Sequence, residues 1–86
     1  MGEDCAHFYP YASKKAGEEG SVTLLVQISP DGWARDVKIE TSSGYPRLDT
    51  AAISCIKSKP YFEPEQVDGV KVVAWQRMKW TWRSTN

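Results

Sequence analysis

The sequence predicts an α+β domain: a three-stranded antiparallel sheet with two helices packed on one face, in the order α-β-β-α-β. Three observations predict this fold. Two alternating segments flank a turn at Pro30-Asp31-Gly32, an amphipathic segment follows them, and a last segment rich in Val and Trp contains no Gly or Pro. The 86 residues of the chain suffice for one small domain.

Two segments have helical features. Pro10 suits the first turn of a short helix that runs from Tyr11 to Ala16 and stops at Gly17. Pro46 opens a second helix, and Pro60 ends it. The second helix has a single apolar stripe at helical spacing, formed by Leu48, Ala51, Ala52, Cys55 and Ile56.

The strands follow from alternation. Residues 21–29 and 34–41 each place apolar side chains on one face and polar ones on the other, with Leu25 as the exception. We expect Glu65 to Gly69 to be a loop and Val70 to Trp82 to be one long strand. That strand is remote in sequence from the hairpin, so the edge that it joins stays open at this stage.

The last strand is cationic. After Asp68 the chain carries Lys71, Arg77, Lys79 and Arg83 and no acidic residue. Cations are typical of edge strands, where they prevent pairing between copies. An edge strand is also a template for an extended peptide. The pattern therefore favours a binding module over an enzyme.

Within that strand, Val72, Ala74, Gln76, Met78 and Trp80 share one face. Gln76 is either a buried amide that needs partners or the point where the strand passes beyond the core. We expect Trp80 and Trp82 to cover the helices. Trp75 falls on the opposite face and is the better candidate for an exposed contact.

Composition and motifs argue against several classes of function. The chain is 41% hydrophobic and 26% charged, which is ordinary for a globular domain. Its formal net charge is zero, so nothing global indicates nucleic acid or an anionic membrane. His7 is the only histidine, and Cys5-Ala6-His7 would need two further ligands to hold a metal. We therefore expect no catalytic residues, no metal and no cofactor.

Cys5 and Cys55 have two interpretations. They form one disulfide between the N-terminal segment and the second helix, or they are two unrelated buried thiols. We take residues 1–8 as an N-terminal arm that starts like an expression remnant, 9–83 as the domain and 84–86 as a tail. We expect the domain to come from a longer, targeted protein.

The chain resembles the TonB C-terminal domain family from about Tyr9 to Trp82. The resemblance lies in an ordered set of short motifs: Tyr9-Pro10, Glu19-Gly20-Ser21-Val22, Ile28-Ser29-Pro30-Asp31-Gly32, Asp36-Val37-Lys38-Ile39, Ser42-Ser43-Gly44, Leu48-Asp49-Thr50-Ala51-Ala52-Ile53 and Tyr61-Phe62-Glu63-Pro64. Residues Cys5 to Phe8 depart from the polar, Gln-containing sequence of the best-known members.

The resemblance implies a periplasmic domain that a proline-rich linker ties to an inner-membrane helix. Such a domain couples the proton-motive force, through an inner-membrane motor complex, to outer-membrane transporters. It does so by pairing its last strand with the transporter's TonB box. The implied contact residues are Val72, Val73, Ala74, Trp75, Gln76, Arg77, Met78, Lys79 and Trp80, together with Tyr9 and Pro10.

Two alternatives remain open. One is a structural self-association domain, a homodimer that pairs the same edge strand with its own copy. The other is a nucleic-acid module in which Trp75 and Trp80 stack on bases while Arg77 and Lys79 contact phosphates. The neutral net charge counts against the second alternative.

Overall fold

The structure is a computed structural model, and it describes residues 2–83. In chain order, its elements are an N-terminal 3-10 helix (Gly2–Phe8), α1 (Tyr11–Lys15), β1 (Gly20–Ile28), β2 (Ala34–Thr41), α2 (Pro46–Ser58), β3 (Glu65–Val67), β4 (Val70–Val72) and β5 (Ala74–Trp82). The predicted α+β class with a three-stranded antiparallel sheet is confirmed, and a second, two-stranded sheet is added.

The main sheet has the strand order β2-β1-β5, so β1 is central. The β1–β5 register is unbroken over all nine residues of β5, from Gly20 opposite Trp82 to Ile28 opposite Ala74. The β1–β2 register instead shifts twice, between Thr23 and Leu24 and again between Gln27 and Ile28. The two outer strands therefore differ in regularity.

The expected single strand from Val70 to Trp82 is wrong, because the chain leaves the strand conformation at Val73. The loop expected from Glu65 to Gly69 is wrong over its first three residues. Glu65–Val67 form β3, which pairs with β4 in a short hairpin. Asp68 and Gly69 close this hairpin with φ values of 52° and 79°. Two successive residues with positive φ form the tight turn that suits the twist of a two-residue hairpin.

The core lies between the sheet and α2. Its strand contribution is the predicted alternating set, Val22, Leu24, Val26 and Ile28. The predicted apolar stripe of α2 faces this set, and Phe62 and Trp82 complete it. Leu25, the exception in the alternation, lies half-buried on the opposite face of the sheet.

Cys5 and Cys55 form a disulfide, which decides between the two interpretations of the cysteines. Both are buried, with exposed fractions of 1% and 4%. The bond fixes the N-terminal 3-10 helix against α2. The segment taken as an arm from its sequence thus contributes a side chain to the core.

The tip of the β1–β2 hairpin packs closely against the chain after α2. Gly32 has φ 92°, and a Cβ atom there would collide with the Tyr61 ring. Its carbonyl accepts a hydrogen bond of 2.8 Å from the Phe62 N–H. This close approach requires glycine and aligns Phe62 with the core.

Within residues 2–83, every helix is too short or too polar to cross a membrane.

Candidate functional site: the outer edge of β5

The outer edge of β5 is the side of Ala74–Trp82 that faces away from β1; we call it the β5 edge. In the part of the chain that the structure describes, no strand pairs with it. At about 3.3 Å per residue, nine residues give an edge about 30 Å long. Its backbone N–H and C=O groups have the regular spacing that another strand needs.

The side chains of β5 alternate between two environments. Ala74, Gln76, Met78 and Trp80 are half-buried on the side that faces the core. The side chains between them are exposed on the side without helices: Trp75, Arg77, Lys79 and Thr81. Because α2 lies over β1 and β2, the core-facing row of β5 is only partly covered.

On the helix-free face, two contacts link β5 to β2 across the central strand. Arg77 binds the Glu40 carboxylate through two hydrogen bonds, 2.5 Å from Nε and 2.8 Å from Nη2. The bond from Arg77 holds the pKa of Glu40 below its usual value. The Lys38 ammonium lies 5.0 Å from the centre of the Trp75 ring, within cation–π range.

Lys79 differs from Arg77 in its surroundings. Its register partner on β1 is Thr23, which in turn lies opposite Thr41 of β2, so the residues directly opposite it are uncharged. Among the described residues, no carboxylate forms an ion pair with it. Of the two cations of β5, Arg77 therefore has an ion-pair partner among the described residues and Lys79 has none.

On the core-facing side, the Gln76 amide finds a partner. Its Nε2 donates a 3.1 Å hydrogen bond to the carbonyl oxygen of Glu63. The side chain is half-buried, so the position is neither fully enclosed nor beyond the core. Trp80 packs against the core, and its indole N–H is buried without an acceptor among the described residues.

Trp82 anchors the C-terminal end of β5. It is 1% exposed, and its indole N–H donates a 3.1 Å hydrogen bond to the carbonyl of Leu48 in α2. Its ring lies 5.1 Å from that of Tyr9 and 5.6 Å from that of Trp80, in a T-shaped arrangement with Trp80. As expected, Trp80 and Trp82 lie on the core side.

The structure brings together most of the residues predicted for the site. Seven of them, Ala74 through Trp80, lie on β5 itself. Tyr9 contacts Trp82 at one end of the strand, and Pro10 follows Tyr9 in the chain at the N-cap position of α1. Val72 belongs instead to β4, opposite Glu65, and Val73 connects the two strands.

Sequence reasoning missed the partners of these residues. Glu40, Lys38 and Glu63 are distant in the chain from the side chains that they contact. No local pattern indicates that β2 and β5 flank the same strand. The apolar residue Leu25, half-buried on the helix-free face of β1, is the one signal, because a central strand is shielded by neighbours on both sides.

The fold is that of a small α+β domain with one long, regular sheet edge, the geometry that modules which bind peptides by strand addition use. Residues 6–84 match the family model described as the Gram-negative bacterial TonB protein C-terminal. This match covers most of the chain, which therefore belongs to the TonB C-terminal domain family.

Curated relatives agree over a shorter span. The chain is 50% identical over 44 residues to Protein TonB of Neisseria meningitidis serogroup C. It is 48% identical over 44 residues to Protein TonB of Neisseria gonorrhoeae. The matched segment covers 51% of this chain and 16% of the length of each of these relatives.

Proposed function

We propose that the domain binds a short extended segment of an outer-membrane transporter, a TonB box, as an additional strand at the β5 edge. The observation that supports this most is the unbroken register of β5 with β1, which gives β5 nine regularly spaced residues along an edge that no described strand pairs with. Backbone pairing depends little on sequence, so one such edge serves ligands of different sequence.

We further propose that the domain acts in the periplasm as part of an inner-membrane-anchored energy transducer. Family membership supports this role, as does the greater length of the relatives named TonB. In this role the domain has no catalytic step. An inner-membrane motor complex driven by the proton-motive force pulls on the preceding chain, and the domain transmits the pull to the bound transporter.

A strand at the β5 edge would place its side chains beside both rows of β5. On the core-facing side it would extend the partly covered apolar surface of Met78 and Trp80. On the helix-free side, Lys79 lacks an ion-pair partner among the described residues, whereas Glu40 engages Arg77. An acidic ligand residue is therefore expected to pair with Lys79 rather than with Arg77.

Amide NMR titration with a synthetic TonB-box peptide tests the proposal. Binding should shift the amide signals of residues 74–82 and slow hydrogen exchange at the outward-facing N–H groups of β5. Amides of β2 provide the internal control and should move little. Strand addition at β5 would be refuted by peptide-induced shifts centred on β2 or α2, or by no shifts at millimolar peptide with a monomeric domain.

Self-association through the same edge is the competing use of this surface. Sedimentation without peptide reveals it as a mass that rises with concentration. If the peptide dissociates that dimer, both processes use the β5 edge. A dimer that persists unchanged at saturating peptide would place self-association elsewhere.

A further inference from the structure

We propose that the Cys5–Cys55 disulfide sets the point at which a pull from the preceding chain enters the fold. It transfers the pull to α2 and keeps it away from the start of β1. This inference rests on the proposed function, which applies one load to the chain ahead of Cys5 and the opposing load to β5.

The disulfide closes a large covalent loop, since the two cysteines are 50 positions apart. The loop encloses α1, β1, β2 and the part of α2 that precedes Cys55. Both sulfur-bearing residues are buried. A pull on Cys5 therefore reaches α2 through a covalent bond and bypasses every enclosed residue.

Without this bond the pull would travel along the chain. It would first meet the rest of the N-terminal 3-10 helix and then α1, which has five residues. A helix pulled along its axis loses its hydrogen bonds one turn at a time, and elements this short hold few of them. The contacts of Tyr9 with Trp82 and with the Glu18 carbonyl would be lost at this stage.

The pull would next arrive at Gly20, the first residue of β1. Gly20 lies opposite Trp82, at one end of the β1–β5 ladder. Separating two antiparallel strands from a shared end breaks their hydrogen bonds in succession. A load between Gly20 and β5 would therefore open the sheet beside its binding edge pair by pair.

With the disulfide, the pull enters at Cys55. This residue belongs to the buried stripe of α2, which packs over β1 and β2. Moving α2 against the sheet separates many buried contacts together, and interior packing resists such displacement. The β1–β5 ladder then receives the load across the core and is not opened from its Gly20 end.

Single-molecule pulling of the oxidised domain tests this inference in two geometries. The first attaches handles ahead of Cys5 and after Arg83. The second replaces the N-terminal handle with one on an azide-bearing residue at Ala16. Ala16 is exposed and lies inside the covalent loop, shortly before Gly20. We expect a higher rupture force in the first geometry.

The double variant Cys5→Ser/Cys55→Ser supplies the matched comparison. In the first geometry it should release about 17 nm more chain on unfolding, since 50 residues extend by about 3.5 Å each. Its rupture force should fall towards the value for pulling at Ala16. In the second geometry the substitutions should change the rupture force much less.

Two outcomes would overturn the inference. One is an equal rupture force for the oxidised domain in both geometries. This comparison keeps both cysteines, so it does not depend on whether the cysteine variant folds. The other is an equal loss of force in both geometries on removing the disulfide, since the bond would then act through global stability alone. No ligand is present in these measurements, so peptide titration reports on the proposed function separately.

Discussion

The two outer strands of the sheet, β2 and β5, share the same central neighbour and differ as edges. β2 meets β1 with two register shifts, and irregularities of this kind twist an edge away from further pairing. β5 meets β1 without a break. This difference in regularity favours β5 over β2 as the edge for the proposed strand addition.

The two strands are also held at their ends by different chemistry. Trp82 fixes the end of β5 through apolar burial and one hydrogen bond to α2. The residues after β2 are fixed by Asp49 of α2, which is itself buried. Its carboxylate accepts hydrogen bonds from the Ser42 hydroxyl and from both the N–H and the hydroxyl of Ser43. Four substitutions test these differences, and we give them in order of decreasing effect.

Trp82→Ala should lower the free energy of unfolding by about 3–5 kcal/mol, because it removes a buried aromatic ring and leaves a cavity. Ile39→Ala on β2 is the matched control. Ile39 is 45% exposed, so its loss should cost less than about 1 kcal/mol. Urea unfolding followed by circular dichroism measures both. Similar costs for the two variants would show that the strands are anchored equally.

Asp49→Asn should lower the free energy of unfolding by about 1.5–3 kcal/mol, the range for hydrogen bonds to a charged group. Burial favours the neutral acid, but the bonds from Ser42 and Ser43 outweigh it and lower the pKa of Asp49. A lowered folded-state pKa adds stability above the unfolded value of about 3.9, which is lost as pH falls through the folded-state pKa.

Urea unfolding of the wild type and of Asp49→Asn at a series of pH values between about 2 and 6 measures this effect, because the unfolded-state pKa of Asp lies within that range. The difference in free energy of unfolding between the two proteins should be largest at the highest pH of the series. It should shrink as the Asp49 carboxyl protonates. A difference in free energy of unfolding that does not change with pH would mean that the Asp49 charge contributes nothing to stability.

Proline at Arg77 and, separately, at Met78 should show which N–H groups of β5 face outwards, since adjacent residues of a strand point to opposite edges. The variant that retains the fold should bind a TonB-box peptide about tenfold more weakly or worse, because proline removes a donor at the β5 edge.

Arg77→Ala and Met78→Ala separate the loss of each side chain from the backbone effect of proline. On β2, the tolerated member of the pair Lys38→Pro and Ile39→Pro should leave peptide affinity unchanged. Calorimetric titration provides the affinities. If proline on β2 weakened peptide binding as much as proline on β5, the two edges would not differ in their use by the peptide.

The smallest effect is expected for Arg77→Gln. Its contact with Glu40 ties β5 to β2, but the pair is exposed and should change the urea midpoint very little. Lys79→Gln is the matched variant. For a peptide with one acidic residue, Lys79→Gln should weaken binding more than Arg77→Gln does, and the difference should shrink with added salt. The reverse order would identify Arg77 as the partner of the acid.

The sequence predicts the local elements well where one face is buried. The alternation of Val22 to Ile28 and the stripe of Leu48 to Ile56 each specify an element and its buried side, because the period of the apolar residues is the period of the backbone. The cationic last strand likewise predicted an edge. Chain pattern alone also identified the disulfide as one of two options.

The parts that the sequence did not predict depend on contacts between distant residues. The break at Val73 has no Gly or Pro to mark it; it arises because Val70 to Val72 pair with β3 across the Asp68-Gly69 turn. The position of β5 beside β1 depends on which edge buries Trp82 against α2 and Tyr9. The β3–β4 pairing and the burial of Trp82 each depend on two or more segments, so the sequence of one segment does not predict them.

The four tryptophans also give the domain an intrinsic fluorescence signal that can report ligand binding. Trp33 and Trp75 are 52% and 42% exposed, whereas Trp82 is buried. The exposed indoles should therefore have fluorescence emission maxima at longer wavelengths than Trp82. Trp75 and Trp80 stand on opposite faces of the strand that a ligand would join. Trp75→Phe and Trp80→Phe, both of which keep Trp82, would each remove the emission from one face of β5. Comparing the two variants would show, without an added dye, which face a bound chain contacts.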